Sequence, residues 1–171
     1  SNAFPLRVAG NVEFKPDLWS VMLTGRIRGI EIATKGPARI VPRADGYELL
    51  PSTLTVGGGT ARLAGKYGDG LTIQSRVENV DLSLVNSFIP ALGVGGHLSG
   101  SLDFAQATPA AFPSADARVS IEGFTRTTAA TVSEPVDIHF AGKLLPDGGT
   151  GSAVFRRGST VIGRLQASLR P

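Results

Sequence analysis

The sequence HLSGSLDF at positions 97–104 decides the fold class of this chain. Polar and apolar side chains alternate along it, with Leu98, Leu102 and Phe104 in apolar positions. Successive side chains of a strand point to opposite faces, so this period of two predicts a strand with one apolar and one wet face. Six further stretches repeat the pattern, at 6–14, 61–67, 71–78, 117–122, 136–144 and 161–170. The sequence therefore predicts an all-β chain built on seven alternating strands.

Composition narrows the class of protein. Hydrophobic residues make up 42% of the 171 residues and charged residues 18%, a balance opposite to that of disordered chains. No run approaches the ~18 apolar residues that cross a bilayer as a helix. The net charge of +3 is dispersed, and aromatic residues are only 6%, so we expect no nucleic-acid partner. The absence of cysteine excludes disulfides, thiol nucleophiles and thiolate metal sites.

The first residues bear on domain organisation. Ser1-Asn2-Ala3 is typical of the remnant of a cleaved expression tag. We expect residues 4–171 to form one β domain taken from a longer protein, whose signal or membrane anchor precedes it.

A β-run that crosses a glycine and then continues recurs along the chain. The six glycines are Gly10, Gly25, Gly65, Gly100, Gly123 and Gly142. Glycine inside a strand permits a bulge or a sharp bend of the sheet. The recurrence predicts an elongated, curled sheet, and the alternative is that these are ordinary bulge glycines of a β-sandwich.

One stretch breaks the period of two. Positions 81–89, DLSLVNSFI, begin with a capping Asp81 and are followed by Pro90, so the sequence predicts one short helix near 81–90. Turn residues cluster at 57–59, 67–70 and 146–149, and the Asp69-Gly70 pair predicts a hairpin. Positions 106–114 are expected to be a loop or an edge crossing.

The sequence offers no active site. His97 and His139 fall on predicted wet faces, and Asp137 is the one acid that could contact His139. Ser99 lacks the G-x-S-x-G spacing of a nucleophile elbow, and the metal and phosphate-loop motifs are absent. We therefore expect no enzyme activity, no cofactor and no metal, and a carbohydrate-active enzyme is only a third possibility.

Each apolar strand face needs something to bury against. A closed sandwich would do this, and so would a sheet folded into a trough with a partly open apolar lining for acyl chains. Periodicity does not separate the two. The predicted lining residues are Leu63, Leu71, Ile73, Val77, Leu98, Leu102, Phe104, Val119, Ile121, Val136, Ile138, Phe140 and Leu144.

Several glycine- and leucine-rich motifs resemble those of a known family. They are GGTARLAG at 58–65, GLTI at 70–73, VDLSLV at 80–85, GGHLSGSL at 95–102, FRRG at 155–158 and VIGRLQA at 161–167. The chain resembles the central region of the TamB family, the inner-membrane subunits of the translocation and assembly module, within the broader AsmA-like group. The resemblance covers roughly 50–171.

The resemblance implies a non-enzymatic periplasmic segment with a β-taco fold and an apolar interior, in a protein anchored in the inner membrane of a Gram-negative cell. Its implied roles are phospholipid transport between the membranes and outer-membrane protein assembly or secretion. The implied partners are phospholipid acyl chains, a TamA-like outer-membrane protein and unfolded outer-membrane clients. The alternative is a structural β-sandwich spacer or an adhesin-like module without a ligand.

Overall fold

The computed structural model describes residues 6–170, so the predicted tag remnant lies outside the described residues. Within them, twelve strands form one antiparallel sheet, and 71% of the residues are in strands. The strands are β1 (Leu6–Phe14), β2 (Trp19–Ile27), β3 (Ile30–Thr34), β4 (Ala38–Arg43), β5 (Gly46–Val56), β6 (Gly59–Tyr67), β7 (Leu71–Asp81), β8 (Val94–Gln106), β9 (Ser114–Arg126), β10 (Val136–Leu145), β11 (Gly148–Arg157) and β12 (Thr160–Leu169). The predicted all-β class is confirmed. The structure contains the seven strands that alternation predicted and five more.

The sheet follows the chain almost strand by strand, in the order β1-β2-β3-β5-β6-β7-β8-β9-β10-β11-β12. β3 and β4 are two segments of one broken strand, because both pair with β2 on one side and β5 on the other. The break falls at residues 35–37, where Gly36 has a φ of 101° and Pro37 cannot donate a backbone hydrogen bond.

Short turns join neighbouring strands. The predicted hairpin at Asp69-Gly70 is confirmed, since Tyr67 of β6 pairs with Leu71 of β7. The loop expected at 146–149 is shorter than predicted: Leu145 pairs with Gly148, so Gly148 and Gly149 belong to β11. Residues 107–113 form a loop between the paired strands β8 and β9, which makes this stretch a loop and not an edge crossing.

Cross-strand pairing places the apolar positions on one side of the sheet, which we call the inner face. Three adjacent rows of paired residues run across it from β5 to β12. The first contains Leu54, Ala61, Val77, Gly100, Val119, Phe140, Ala153 and Leu165. The second contains Ser52, Leu63, Ser75, Leu102, Ala117, Gly142, Gly151 and Ala167, and the third contains Leu49, Gly65, Ile73, Phe104, Ala115, Leu144, Gly149 and Leu169.

The sheet is curled but does not close into a barrel. All buried residues in the described part of the chain lie on the inner face: Ile30, Thr34, Ser52, Gly59, Ala61 and Ala153. The inner face is therefore the better shielded of the two faces of the curled sheet.

No second layer covers the inner face within residues 6–170, because every strand belongs to the same sheet. The accessible surface area is 11501 Å², whereas a compact monomer of 17.7 kDa exposes about 8,000 Å². The closed sandwich considered from the sequence is therefore not the architecture of this chain.

Four of the recurring glycines share one geometry. A Cβ built on Gly10, Gly25, Gly65 or Gly100 would lie 2.5, 2.9, 2.3 or 2.3 Å from the carbonyl oxygen that precedes its cross-strand partner. At these four glycines the neighbouring strand is too close for a residue with a Cβ. Such close approach fits the prediction that the glycines allow the sheet to bend. Gly123 instead occupies a bulge with a φ of 62°.

The short helix predicted near 81–90 is present as a 3₁₀ helix, Leu82–Ser87, followed by a second turn, Pro90–Leu92. We call residues 82–92 the 3₁₀ segment. The predicted cap is confirmed: Asp81 Oδ1 accepts a hydrogen bond of 2.8 Å from the Ser83 amide. Pro90 stands at the first position of the second turn, where its missing N–H costs nothing, and it disfavours an α conformation at the residue before it.

Candidate functional site

The structure places all the predicted lining residues on the inner face. Most of them occupy the three rows given above. Leu98, Ile121 and Ile138 form the next row, with Val80 and Phe155, and Val136 lies beyond Ile138 on the same side. Leu71 pairs with Tyr67 and Gln106 at the opposite ends of the strands. One continuous surface therefore joins residues that the sequence places in five separate strands.

The inner face carries no charge in any of these rows. Its polar members are small or neutral: Thr34, Ser52, Ser75 and Gln106. Charged residues of the same strands fall on the other side, where Arg62 pairs with Arg76 and Asp103 pairs with Asp116. Charged and apolar side chains are thus almost completely separated between the two faces. The sheet has one face suited to contact with water and one suited to contact with an apolar ligand.

Large apolar side chains on the inner face are open to solvent. Leu102 and Phe140 lie in the middle of the sheet and are 39% and 41% exposed. Exposure rises at the edge strand β12, where Leu165 is 60% and Leu169 is 62% exposed. Contiguous exposed apolar surface of this kind marks an interaction site.

On the outer face, His139 and Asp137 each have a different hydrogen-bond partner. His139 Nδ1 lies 3.0 Å from Ser120 Oγ, while Asp137 accepts a hydrogen bond of 2.9 Å from the Gly123 amide at the bulge. The contact between Asp137 and His139 that the sequence allowed is therefore not formed: His139 contacts Ser120, and Asp137 contacts the Gly123 amide. A shallow depression of about 580 Å³ beside them is lined mostly by outer-face residues such as Arg76, Ser101 and His139. Across residues 6–170, no group of three or more potential ligands could hold a metal ion.

The 3₁₀ segment lies across one end of the strands. A Cβ on Gly57, in the turn between β5 and β6, would lie 2.2 Å from the side chain of Leu84, so Leu84 covers that turn. Arg28, in the turn between β2 and β3, donates a hydrogen bond of 2.7 Å to the Ser87 carbonyl and stacks on Phe88. The segment therefore bridges strand ends from β2 to β8, a role for Arg28 that sequence reasoning missed.

The cap of this segment is electrostatically favourable. Hydrogen bonding from Ser83 lowers the pKa of Asp81, burial partly opposes this, and the nearby His97 lowers it further. The carboxylate is thus held in its charged form, which is the form that accepts the Ser83 amide hydrogen bond.

At the opposite end of the strands lies a group of aromatic residues that sequence reasoning also missed. We call Phe14, Trp19, Tyr47 and Tyr67 the aromatic rim. The Phe14 and Trp19 rings are 5.4 Å apart between centroids, and the Trp19 and Tyr47 rings are 5.2 Å apart. Tyr67 is the cross-strand partner of Tyr47. The chain has one Trp and two Tyr residues, so all three lie in this rim.

Comparisons with protein-family models, curated proteins and solved structures give no match to this chain. Among the described residues, no helix is both long and apolar enough to cross a bilayer.

Proposed function

We propose that this chain is a non-enzymatic segment that holds phospholipid acyl chains on its inner face. The observation that carries the proposal is an uncharged apolar face without a second layer over it. Acyl chains match such a face because each CH₂ removed from water contributes about 0.8 kcal/mol. From Leu98 to Gln106 the face extends for roughly 26 Å at about 3.3 Å per residue, longer than the ~15 Å of one bilayer leaflet.

The resemblance to the TamB family widens this proposal. In that setting the chain would be part of a longer periplasmic protein, anchored in the inner membrane, that moves phospholipids towards the outer membrane. A role in outer-membrane protein assembly would use strand addition at a sheet edge, and within residues 6–170 β1 and β12 are paired on one side only. An unfolded client strand could add to either edge through backbone hydrogen bonds, and a TamA-like protein would be the outer-membrane partner.

The two faces of β8 allow an internally controlled test. A photo-crosslinking residue at Leu102 or Phe104 would lie on the inner face, and one at Ser101 or Asp103 would lie on the outer face. We expect crosslinked phospholipid at the first two positions and none at the second two, in cells and with purified protein. Equal capture on both faces would mean non-specific membrane contact, and no capture at any position would reject a lipid-holding face.

The alternative function is a spacer without ligand. It predicts that purified protein carries no lipid after organic extraction and mass spectrometry, and that the inner-face positions crosslink only to protein. The exposure of Leu102 and Phe140 favours the lipid proposal. Contiguous apolar surface exposed to water is typical of an interaction site, whereas a spacer without ligand does not need one.

A further inference from the structure

The two ends of the strands differ, and the difference bears on how a lipid would lie. One end carries the 3₁₀ segment, with Leu84 and Phe88 over the strand ends. The other end carries the aromatic rim, whose outermost pair, Tyr47 and Tyr67, is 45% and 66% exposed. Tyr and Trp combine an apolar ring with a polar group, and they favour places where apolar surface meets water.

The rim stands at such a boundary. On its inner side, Trp19 pairs with Ile40, and Tyr67 pairs with Leu71, so the rings continue the apolar face. Beyond the rings the next residues are the turns at 44–45 and 68–70, which pack against each other: a Cβ on Gly68 would lie 2.5 Å from the Asp45 carbonyl oxygen.

Charges of both signs surround Tyr47 and Tyr67. A depression of about 250 Å³ is lined by the two rings together with Arg43, Lys66, Asp45 and Asp69. Glu48 lies behind them on the outer face, 3.0 Å from Arg43 Nε and 3.8 Å from Lys66 Nζ. Hydrogen bonding from Arg43 is the main cause that lowers the pKa of Glu48.

We propose that the aromatic rim holds the headgroup and glycerol region of a zwitterionic phospholipid, with its acyl chains extending along the inner face towards the 3₁₀ segment. The inference rests on the proposed function and adds the orientation of the lipid and its headgroup class. At this depression a phosphate would meet Arg43 and Lys66, which reach it from the outer face and also pair with Glu48, and an ammonium would meet Asp45 and Asp69. The other end of the strands presents Leu84 and Phe88, and its charged residues Arg28 and Asp81 hydrogen-bond within the protein to Ser87 and Ser83.

Trp19, the single tryptophan, is a built-in reporter for this site. Its fluorescence is measured while phosphatidylcholine brominated near the carboxyl end of its acyl chain is added, and again with bromine near the methyl end. Bromine quenches tryptophan only at short range, so we expect stronger quenching from the first lipid. Stronger quenching from the second lipid, or equal quenching, would overturn the proposed orientation.

Two variants and a second lipid sharpen the test. Tyr67→Ala should weaken phosphatidylcholine binding about 3- to 10-fold, while Phe88→Ala, at the other end of the strands, should leave the quenching pattern unchanged. Brominated phosphatidylglycerol should bind more weakly than phosphatidylcholine, and equal binding would overturn the headgroup assignment. If a crosslinker at Leu102 captures phospholipid while Trp19 is not quenched, the rim inference fails and the proposed function stands. If neither signal appears, the proposed function itself fails.

Discussion

Gly100 provides the sharpest test of the curled sheet. A Cβ there would lie 2.3 Å from the Arg118 carbonyl oxygen and 3.0 Å from the Val119 Cα, both backbone atoms of β9. The first distance is about 1 Å shorter than the ~3.3–3.6 Å of an ordinary C–H···O contact. Gly100→Ala therefore forces the two strands apart, an overpacking that costs roughly 1–3 kcal/mol.

The same substitution also brings a gain that must be subtracted. Replacing glycine by alanine restricts the unfolded chain and stabilises an ordinary strand by about 0.5–1 kcal/mol. The expected net effect of Gly100→Ala is a loss of roughly 1 kcal/mol, the middle of the ~0–2.5 kcal/mol range obtained as overpacking minus that gain. For a chain of this length, this lowers the melting temperature by about 2–5 °C.

Gly151 is the matched control, since it lies on the inner face one row away. Its Cβ would meet Phe140 at 3.6 Å, an ordinary contact, so Gly151→Ala should raise the melting temperature by about 1–4 °C. Gly142 is intermediate, because its Cβ would meet only the tip of the Phe140 ring, which can rotate away. The measurement is thermal unfolding by circular dichroism on delipidated protein, since a bound ligand shifts the midpoint. A rise for Gly100→Ala equal to that for Gly151→Ala would refute the close approach of β8 and β9.

Three further predictions follow from the faces and the 3₁₀ segment. Leu102→Arg should stay folded, with a melting temperature within a few degrees of wild type, because an open face lets the arginine extend its charge into water. Mass spectrometry of lipid extracts should show that Leu102→Arg has lost its bound phospholipid and that the control Ser101→Arg has kept it. Asp81→Ala should cost about 1 kcal/mol in urea unfolding at neutral pH. Since the folded pKa of Asp81 is lowered, that difference should be present above pH 3.8 and vanish as pH falls through the folded pKa; a difference that persists at low pH contradicts the charged cap. Arg28→Ala removes the hydrogen bond to Ser87 and should speed amide exchange in the 3₁₀ segment while leaving β9 to β12 unchanged.

Alternating sequence predicted which strands form and which way their residues face. The strict period of two along β8 is enough to place Leu102 inside and Asp103 outside, and the structure keeps that assignment. The strands that alternation did not predict lack this signal for identifiable reasons. β2 was predicted only as the β-run around Gly25, because it also contains the apolar run Val21-Met22-Leu23, and β11 is rich in Gly and Ser, which mark turns as often as strands.

The candidate site was only partly visible in the sequence. Its lining could be predicted because apolar residues keep to one face of each strand, whatever the order of the strands. The aromatic rim could not, since Trp19 and Tyr47 meet only through the broken strand that inserts β4 between β2 and β5. The bridge between Arg28 and Ser87 likewise joins residues 59 positions apart, and no local pattern encodes such a contact.

The openness of the inner face links stability to the proposed function. A single sheet gains stability from its hydrogen-bonded ladders and from cross-strand pairs such as Phe140 with Val119, but Phe140 remains 41% exposed because nothing packs above it within residues 6–170. A phospholipid on this face would supply the missing layer, so bound lipid should raise the melting temperature. Phe140→Ala should then destabilise delipidated protein less than lipid-loaded protein, because the loaded state loses contacts to both the sheet and the acyl chain. An equal loss in both states would mean that Phe140 contacts only protein.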